Sequence, residues 1–174
     1  MAVILLRHTR PLGAEGLCYG RTDLAPAASF ADEFSCILSA LPDVQRIVTS
    51  PLTRCLTLAR ALAEGRALPL DIDPQLIEMD FGAWENTPWD AVPRDQLDAW
   101  SADFLHARPH GGESVAMLAA RTRAALDALT GPEPVLAVTH AGVIKAALAI
   151  SGAPDPWRHE TAFGAFVTLE WPCR

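Results

Sequence analysis

Two histidines in this chain stand where an apolar run stops. Ala2-Val3-Ile4-Leu5-Leu6 leads into Arg7-His8-Thr9-Arg10-Pro11, and Val135-Leu136-Ala137-Val138 leads into Thr139-His140-Ala141-Gly142. A third run, Ile47-Val48-Thr49, leads into Ser50-Pro51-Leu52-Thr53-Arg54 and a periodic helical stretch. A neutral imidazole is a competent nucleophile at phosphorus. Guanidinium forks and the free amides of a helix N-terminus both favour a multiply charged oxygen anion. His8, His140, Arg7 and Arg54 brought to one place would make a site for a phosphate ester.

Short apolar runs bounded by polar and turn residues read as strands buried on both faces, and open α/β sheets bind ligands beyond the carboxyl ends of such strands. Residues 11–28, with Pro11, Gly13, Gly16, Gly20 and Pro26, read as a long loop at that rim. Phe30, Phe34, Ile37, Leu38 and Leu41 recur at helical spacing before Pro42. The next helix carries Leu52, Leu56, Ala59, Leu62 and Ala63 on one face, with Ser50 as N-cap, Pro51 at the first position and Gly65 as terminator. Leu68 to Ile72 reads as a short strand. Residues 74–112 read as loops and short helices that cover the site, the best helical piece being Asp95 to His106. Val115, Leu118, Thr122, Ala125, Leu126 and Leu129 mark a helix ended by Gly131-Pro132; a helix from Val143 to Ile150 and a strand from Ala165 to Trp171 complete the chain. Alternation of strands and helices predicts an α/β fold: a single domain over 1–174, built as a three-layer α/β/α sandwich with a mostly parallel central sheet.

The composition fits a domain with a real core: 174 residues, 50% hydrophobic and 20% charged. A net charge of −7 argues against nucleic acid or an anionic membrane as partner, because both reward a basic face. The expected partner is a small-molecule phosphate ester, bound by a local arginine cluster in an acidic protein. Lys145 is the only lysine. Cysteines 18, 36, 55 and 173 lack CxxC or zinc-type spacing and read as reduced thiols, with Cys36 and Cys55 on apolar helix faces. Arg7 interrupts the first apolar run and no basic segment precedes it, so neither a signal peptide nor a membrane span is expected, and the location expected is cytoplasmic. The few residues after the last strand point to a minimal catalytic domain.

Each residue also has a structural reading. A lone histidine at a strand end is ordinarily a satisfied polar group, and an arginine is ordinarily half of an ion pair. His8 and His140 at one rim, with Arg54 on the first turn of a helix that starts there, favour chemistry. His106 and His110 read as surface residues, and His159 as structural or exposed. Among the carboxylates, Glu78, Asp80 and Glu85 are equivalent by chemistry alone. His8 and His140 with a nearby carboxylate could also ligate a hydrolytic metal, but no HxH or HxxxH cluster supports it, so no metal or cofactor is expected.

The ordered set resembles the histidine phosphatase superfamily, the phosphoglycerate-mutase-like group. Arg7-His8-Thr9 is similar to its RHG segment, Arg54 matches its second phosphate arginine and His140 its second histidine. Leu76-Ile77-Glu78-Met79-Asp80-Phe81-Gly82-Ala83-Trp84-Glu85 looks like its acid segment, and Gly112-Glu113-Ser114 like a GES-type segment before a helix. The resemblance implies a phosphomonoesterase in which His8 becomes a phosphohistidine. Arg7, Arg54 and protonated His140 would cage the phosphoryl group, and Glu78 would protonate the leaving group. Glu78 would then need a raised pKa, from a pocket near Phe81 and Trp84.

Two positions depart from that pattern. Thr9-Arg10-Pro11 replaces the usual Gly-Glu-Thr, so the Thr9 hydroxyl and the Arg10 charge must alter the phosphate contacts, and Ala141 stands where the second motif often has glycine. The RHT-type opening followed by Leu17-Cys18-Tyr19-Gly20-Arg21-Thr22-Asp23 looks like the α-ribazole phosphatase branch. That resemblance implies α-ribazole 5′-phosphate or the phosphorylated cobamide precursor as substrate, with Tyr19 stacking on a base, touching the phosphate, or packing within its loop. A broad-specificity phosphatase for sugar, glycerate or nucleotide esters is the alternative, and a non-catalytic phosphate-ligand sensor a third reading.

Overall fold

The structure is a computed structural model and describes residues 1–129 and 131–172; the thiol of Cys173 lies outside the described residues. Five strands form one sheet: β1 (Ala2–Arg7), β2 (Arg46–Thr49), β3 (Leu70–Ile72), β4 (Val135–Thr139) and β5 (Phe166–Glu170), in the order β3-β2-β4-β1-β5. β5 runs antiparallel to β1, and every other pairing is parallel. Successive side chains of a strand point to opposite faces, and here both faces are buried. Val3, Leu5, Val135 and Ala137 pack into one core with α4 (Val115–Ala128) and α5 (Ala141–Ile150). Ile4, Leu6, Leu136 and Val138 pack into a second core with α1 (Phe30–Ala40) and α2 (Thr53–Arg66). Helices on both sides of a mostly parallel sheet make the three-layer sandwich that the alternating pattern predicts.

The register of the sheet brings the three motifs together. Arg7 pairs with Thr139 and Thr49 with Val138, so His8, Ser50 and His140 leave the sheet side by side at one carboxyl edge. The ladder continues past the strands, with the amide of His8 donating to the carbonyl of Thr139 and that of Ser50 to Val138, both at 3.0 Å.

Several element ends differ from the sequence expectation. α2 starts at Thr53, two residues beyond the expected Pro51, and Ser50 is not its N-cap. Asp23 takes that role from a distant loop, its two oxygens accepting from the Thr53 amide and hydroxyl, each at 2.7 Å. The buried stripe of α2 is correspondingly rotated to Arg54, Cys55, Leu58, Ala59 and Leu62, which leaves Leu56 and Ala63 half-buried. Gly65 lies inside the helix, and Ala67 adopts the left-handed conformation that ends it. Cys36 is exposed, because it sits one residue off the buried Ile37 stripe of α1. α5 begins at Ala141, immediately after His140, and β3 covers only Leu70–Ile72.

The covering segment contains short 3-10 turns at Pro74–Leu76, Gly82–Trp84 and Trp89–Ala91, and α3 (Arg94–Ala102). α3 stops four residues short of His106, where the chain turns and Phe104 packs between Trp100 and Trp157. Cys18, Trp84 and Val92 form a small core of their own under this segment. His110 belongs to it and is buried, contrary to the surface expectation. Its Nδ1 accepts the Gly112 amide at 2.9 Å and its ring lies 4.8 Å from Trp84. His106 is exposed and His159 half-buried. Among the described residues no helix is long and apolar enough to cross a membrane.

Because Asp23 supplies the cap that Ser50 does not, Asp23→Ala should lower unfolding free energy by about 1 kcal/mol, read from urea midpoints. An unchanged midpoint would mean that the Thr53 amide finds an equivalent acceptor.

Candidate active site

His8 is 2% exposed and His140 fully buried, with ring centroids 5.1 Å apart in an edge-to-face arrangement. The Nδ1 of His8 lies 2.7 Å from the carbonyl of Thr9, which can only accept, so Nδ1 carries the proton. Nε2 therefore holds a lone pair, and the Nε of Arg54 donates to it at 3.2 Å. Burial lowers the pKa of His8 to about 3, helped by the charges of Arg54 and Arg7 and opposed by the Thr9 hydrogen bond. His8 is thus a neutral imidazole with a fixed tautomer, the form nucleophilic attack requires.

His140 also stands well below the usual histidine value, first through burial and then through His8 and the nearby arginines. The expectation of a protonated His140 concerned the site around a phosphoryl group; burial here favours the neutral ring. The Nε2 of His140 meets the hydroxyl of Ser50 at 2.8 Å, and the Sγ of Cys55 lies 3.4 Å from the same nitrogen.

Arg54 is fully buried, with no carboxylate in ion-pair range among the described residues. Beyond His8, its terminal nitrogens donate to the carbonyls of Thr22 at 2.8 Å and Gly20 at 2.7 Å. Glu85 grips the other side of that loop, accepting from the amides of Gly20, Arg21 and Thr22 and from the Thr22 hydroxyl. Burial raises its pKa, but those hydrogen bonds outweigh the effect and hold the carboxyl below its ordinary value. Glu85 is therefore committed to the loop. Asp80 is committed likewise, capping the Gly82 amide at 2.7 Å and facing Arg21 at 3.8 Å.

Glu78 alone of the three carboxylates lines the cavity that opens at the sheet edge, a space of about 310 Å³. Its oxygens accept from the amides of Met79 at 2.9 Å and Gly142 at 3.0 Å. A Cβ at Gly142 would stand 2.2 Å from the Oε1 of Glu78, so the second histidine's motif needs a residue without a side chain there even though Ala141 precedes it. Phe81 lines the same cavity as expected, whereas Trp84 is withdrawn into the small core.

Arg7, His8 and Tyr19 share the cavity wall with Glu78; Arg54, His140 and Thr9 do not, and lie behind it. Arg7 donates to the carbonyl of Thr161 at 2.7 Å and stacks 3.9 Å above the Phe163 ring, and its Nε has no partner. Burial raises the pKa of the Tyr19 hydroxyl against the opposing charges of Arg7 and Arg54; the Tyr19 ring lies 5.3 Å from the guanidinium of Arg54. Thr9 is fully buried with an unpartnered hydroxyl, and Arg10 is exposed with its guanidinium 5.3 Å from Phe163.

Phe163 and Arg121 escaped the sequence reading, and Glu113 was noted there only as part of a GES-type segment. Phe163 lies beneath Arg7 and 5.6 Å from the His8 ring. Glu113 and Arg121 form a buried two-pronged ion pair at 2.7 and 2.9 Å, and Arg121 also donates to the carbonyls of Gln75, Ile77 and Glu78. That clamp fixes the acid segment against α4, whose N-cap Ser114 accepts the Met117 amide at 3.2 Å. The Glu113/Arg121 spacing of two helical turns is a visible signal, although nothing in the sequence ties it to residues 75–78. Among the described residues no three His, Cys, Asp or Glu side chains converge as metal ligands.

Comparison with known proteins fits this geometry. Over 134 residues the chain is 33% identical to the adenosylcobalamin/alpha-ribazole phosphatase of Salmonella typhimurium, covering 72% of this chain and 66% of that protein. It is 32% identical over 139 residues to the glucosyl-3-phosphoglycerate phosphatase of Mycobacterium tuberculosis, covering 72% of this chain and 61% of that one. The chain therefore spans less than two thirds of the length of these curated relatives. A solved structure titled phosphoglycerate mutase, from Thermus thermophilus, superposes with a TM-score of 0.79 at 29% identity, over 100% of this chain and 95% of that one. The family model of the histidine phosphatase superfamily (branch 1) matches residues 3–171, so the order of strand ends, arginines and histidines is that of a family, and the chain belongs to the histidine phosphatase superfamily.

Proposed function

We propose that residues 1–174 form one catalytic domain, a phosphomonoesterase that works through a phosphohistidine on His8 with no metal or cofactor. The observation that carries this reading is the fixed tautomer of His8, whose Nε2 lone pair stands at a cavity that also holds Arg7 and Glu78. The Nε2 of His8 attacks phosphorus as the bond to the leaving oxygen breaks, and Glu78 gives that oxygen its proton. Glu78, now a carboxylate, accepts a proton from the water that attacks the phosphohistidine. The P–N bond breaks, inorganic phosphate leaves, and the neutral imidazole and protonated carboxyl return. Arg7 and Arg54 bind the transferring oxygens, with the Arg54 N–H that rests on Nε2 turning to phosphate as the lone pair is used. His140 hydrogen-bonds the phosphoryl group from behind His8, and takes up a proton only when the dianion arrives. Thr9 acts through its carbonyl on the tautomer of His8, and Tyr19 bounds the cavity above the phosphate.

The substrate favoured is α-ribazole 5′-phosphate or the corresponding phosphorylated cobamide precursor. The support is the similarity to the Salmonella enzyme and a cavity walled by Phe81, Trp89 and Trp100, which suits an apolar aromatic base. The similarity to the mycobacterial enzyme favours a second reading, a phosphatase of sugar or glycerate phosphates. A cytoplasmic location belongs to either reading.

Phosphate release in EDTA from α-ribazole 5′-phosphate, beside sugar, nucleotide and glycerate phosphates, separates the two. The expected result is the highest kcat/KM on α-ribazole 5′-phosphate, an acid-labile phosphoenzyme, and loss of turnover in His8→Ala by at least about a thousandfold. Retained activity in His8→Ala, or activity abolished by the chelator, would sink the mechanism.

Gly142→Ala should lower kcat by roughly 10²-fold while leaving the phosphohistidine step of a good leaving group such as p-nitrophenyl phosphate less affected, because the new methyl group displaces Glu78. Equal losses on both substrate types would argue against Glu78 as the acid.

The neutral imidazoles also set a pH dependence. The folded pKa of His8 is about 3, against an ordinary 6.5. The unfolded chain therefore binds more protons between those values, so the stability contributed by the neutral state is complete above pH 6.5 and is lost as pH falls, at about 1.4 kcal/mol per pKa unit. Urea midpoints should decline from about pH 7 to about pH 4.5, and His8→Asn should flatten part of that slope; an identical slope in the variant would rule out His8 as its source.

A further inference from the structure

The cavity beyond the catalytic edge has a continuous aromatic wall. Trp89, Phe81, Trp100, Phe104 and Trp157 follow one another with centroids 5.8, 6.4, 5.4 and 5.5 Å apart, and all five line the space. Apart from Arg7 and Glu78, the one charged side chain on the cavity is Lys145. It is the only lysine of a chain whose other basic side chains are arginines. Lys145 is half-buried in α5, three residues after Gly142 and four after Ala141, both of which line the same cavity. Residues at those spacings share one helix face, so Lys145 stands one turn, about 5 Å, farther from the catalytic edge than the amide that holds Glu78.

Among the described residues the Lys145 ammonium has no carboxylate, hydrogen-bond acceptor or aromatic face as partner. With no acceptor on the protein, the ammonium is left to solvent in the open cavity or to a group that enters it. An ammonium donates and never accepts. Away from Arg7, Tyr19 and Glu78 the wall is therefore apolar apart from one donor, and an acceptor on the substrate can meet it.

We propose that Lys145 is a specificity-determining residue for the alcohol part of the phosphomonoester. Its ammonium binds an oxygen acceptor of the leaving group, while the aromatic row takes the apolar remainder. This rests on the phosphatase reading and adds to it a residue that no motif includes. Such an oxygen is available from a pentose hydroxyl, as in α-ribazole 5′-phosphate, or from a carboxylate, as in 3-phosphoglycerate. Both offer the same chemistry to a lysine.

The test compares wild type with Lys145→Met, which keeps the apolar stem and removes the donor, and with Lys145→Arg, which restores a cation. Each is assayed on α-ribazole 5′-phosphate, 3-phosphoglycerate and phenyl phosphate, which carries no acceptor beyond the ester, with melting temperature as the control for folding. The expected result for Lys145→Met is a loss of tenfold or more in kcat/KM, chiefly in KM, on one or both acceptor-bearing esters. Phenyl phosphate should stay within twofold, and Lys145→Arg should recover part of the loss. The ester that suffers more identifies hydroxyl or carboxylate as the natural acceptor. Losses equal on all three esters, no loss on any, or a wild type that prefers phenyl phosphate overturns the assignment and leaves the phosphatase reading intact. A wild type inactive on all three removes both.

Discussion

A guanidinium buried without a carboxylate is the constraint on which this site depends. Arg54 is wholly enclosed, and its donors rest on an imidazole nitrogen and two loop carbonyls. Such a charge is tolerable only where every neighbour is arranged as an acceptor. The loop at residues 20–22 is arranged that way twice over: its carbonyls point at Arg54 and its amides at Glu85. The Gly20–Arg21 peptide unit spans the two ions, its carbonyl accepting from Arg54 and its amide donating to Glu85. Burial first, and then this cation among the nearby charges, disfavours protons on His8 and His140.

The proposed nucleophile and the proposed acid are supported by different parts of the molecule. His8 continues β1, whose backbone is fixed from both sides by β4 and β5, and its tautomer is set by its own neighbour Thr9. Glu78 belongs to no strand or helix. Its position comes from the amide of Gly142 at the start of α5 and from Arg121, which holds three carbonyls of the acid segment while locked to Glu113. An ion pair anchored on α4 thus does for the carboxylate what the sheet does for the imidazole. Breaking one member would leave the other buried and unpaired, so the pair is costly to remove even where its net stabilisation is modest.

This difference explains what was legible in the sequence. Strand ends announce themselves through apolar runs, and parallel register carries the residues after each run to one edge; His8, His140 and the first turn of α2 could be read that way. Helix termini were less legible because their caps came from elsewhere: Asp23 sits thirty residues before the amide it caps, and Ala67 ends α2 in a conformation usually left to glycine. His110 looked like a surface residue because its burial depends on Trp84 and Phe81, which reach it only in the folded chain. By chemistry alone Glu78 could not be told from Asp80 and Glu85, and only the resemblance pointed to it, since the difference turns on which carboxylates the loops consume. Phe163, beneath Arg7, lies in a segment with no periodic pattern at all.

The core built on Cys18, Trp84 and Val92 is separate from the two cores that sandwich the sheet. Its members come from the loop after β1 and from the covering segment, and Phe81 and Trp100 join it to the core under α4 and α5. Substitutions there can reshape the mouth of the cavity without disturbing the packing that aligns His8 with His140. The mouth of the cavity and the strand edge that carries the two histidines are thus built by different parts of the chain, so the shape of what is admitted can be altered apart from the geometry that receives it.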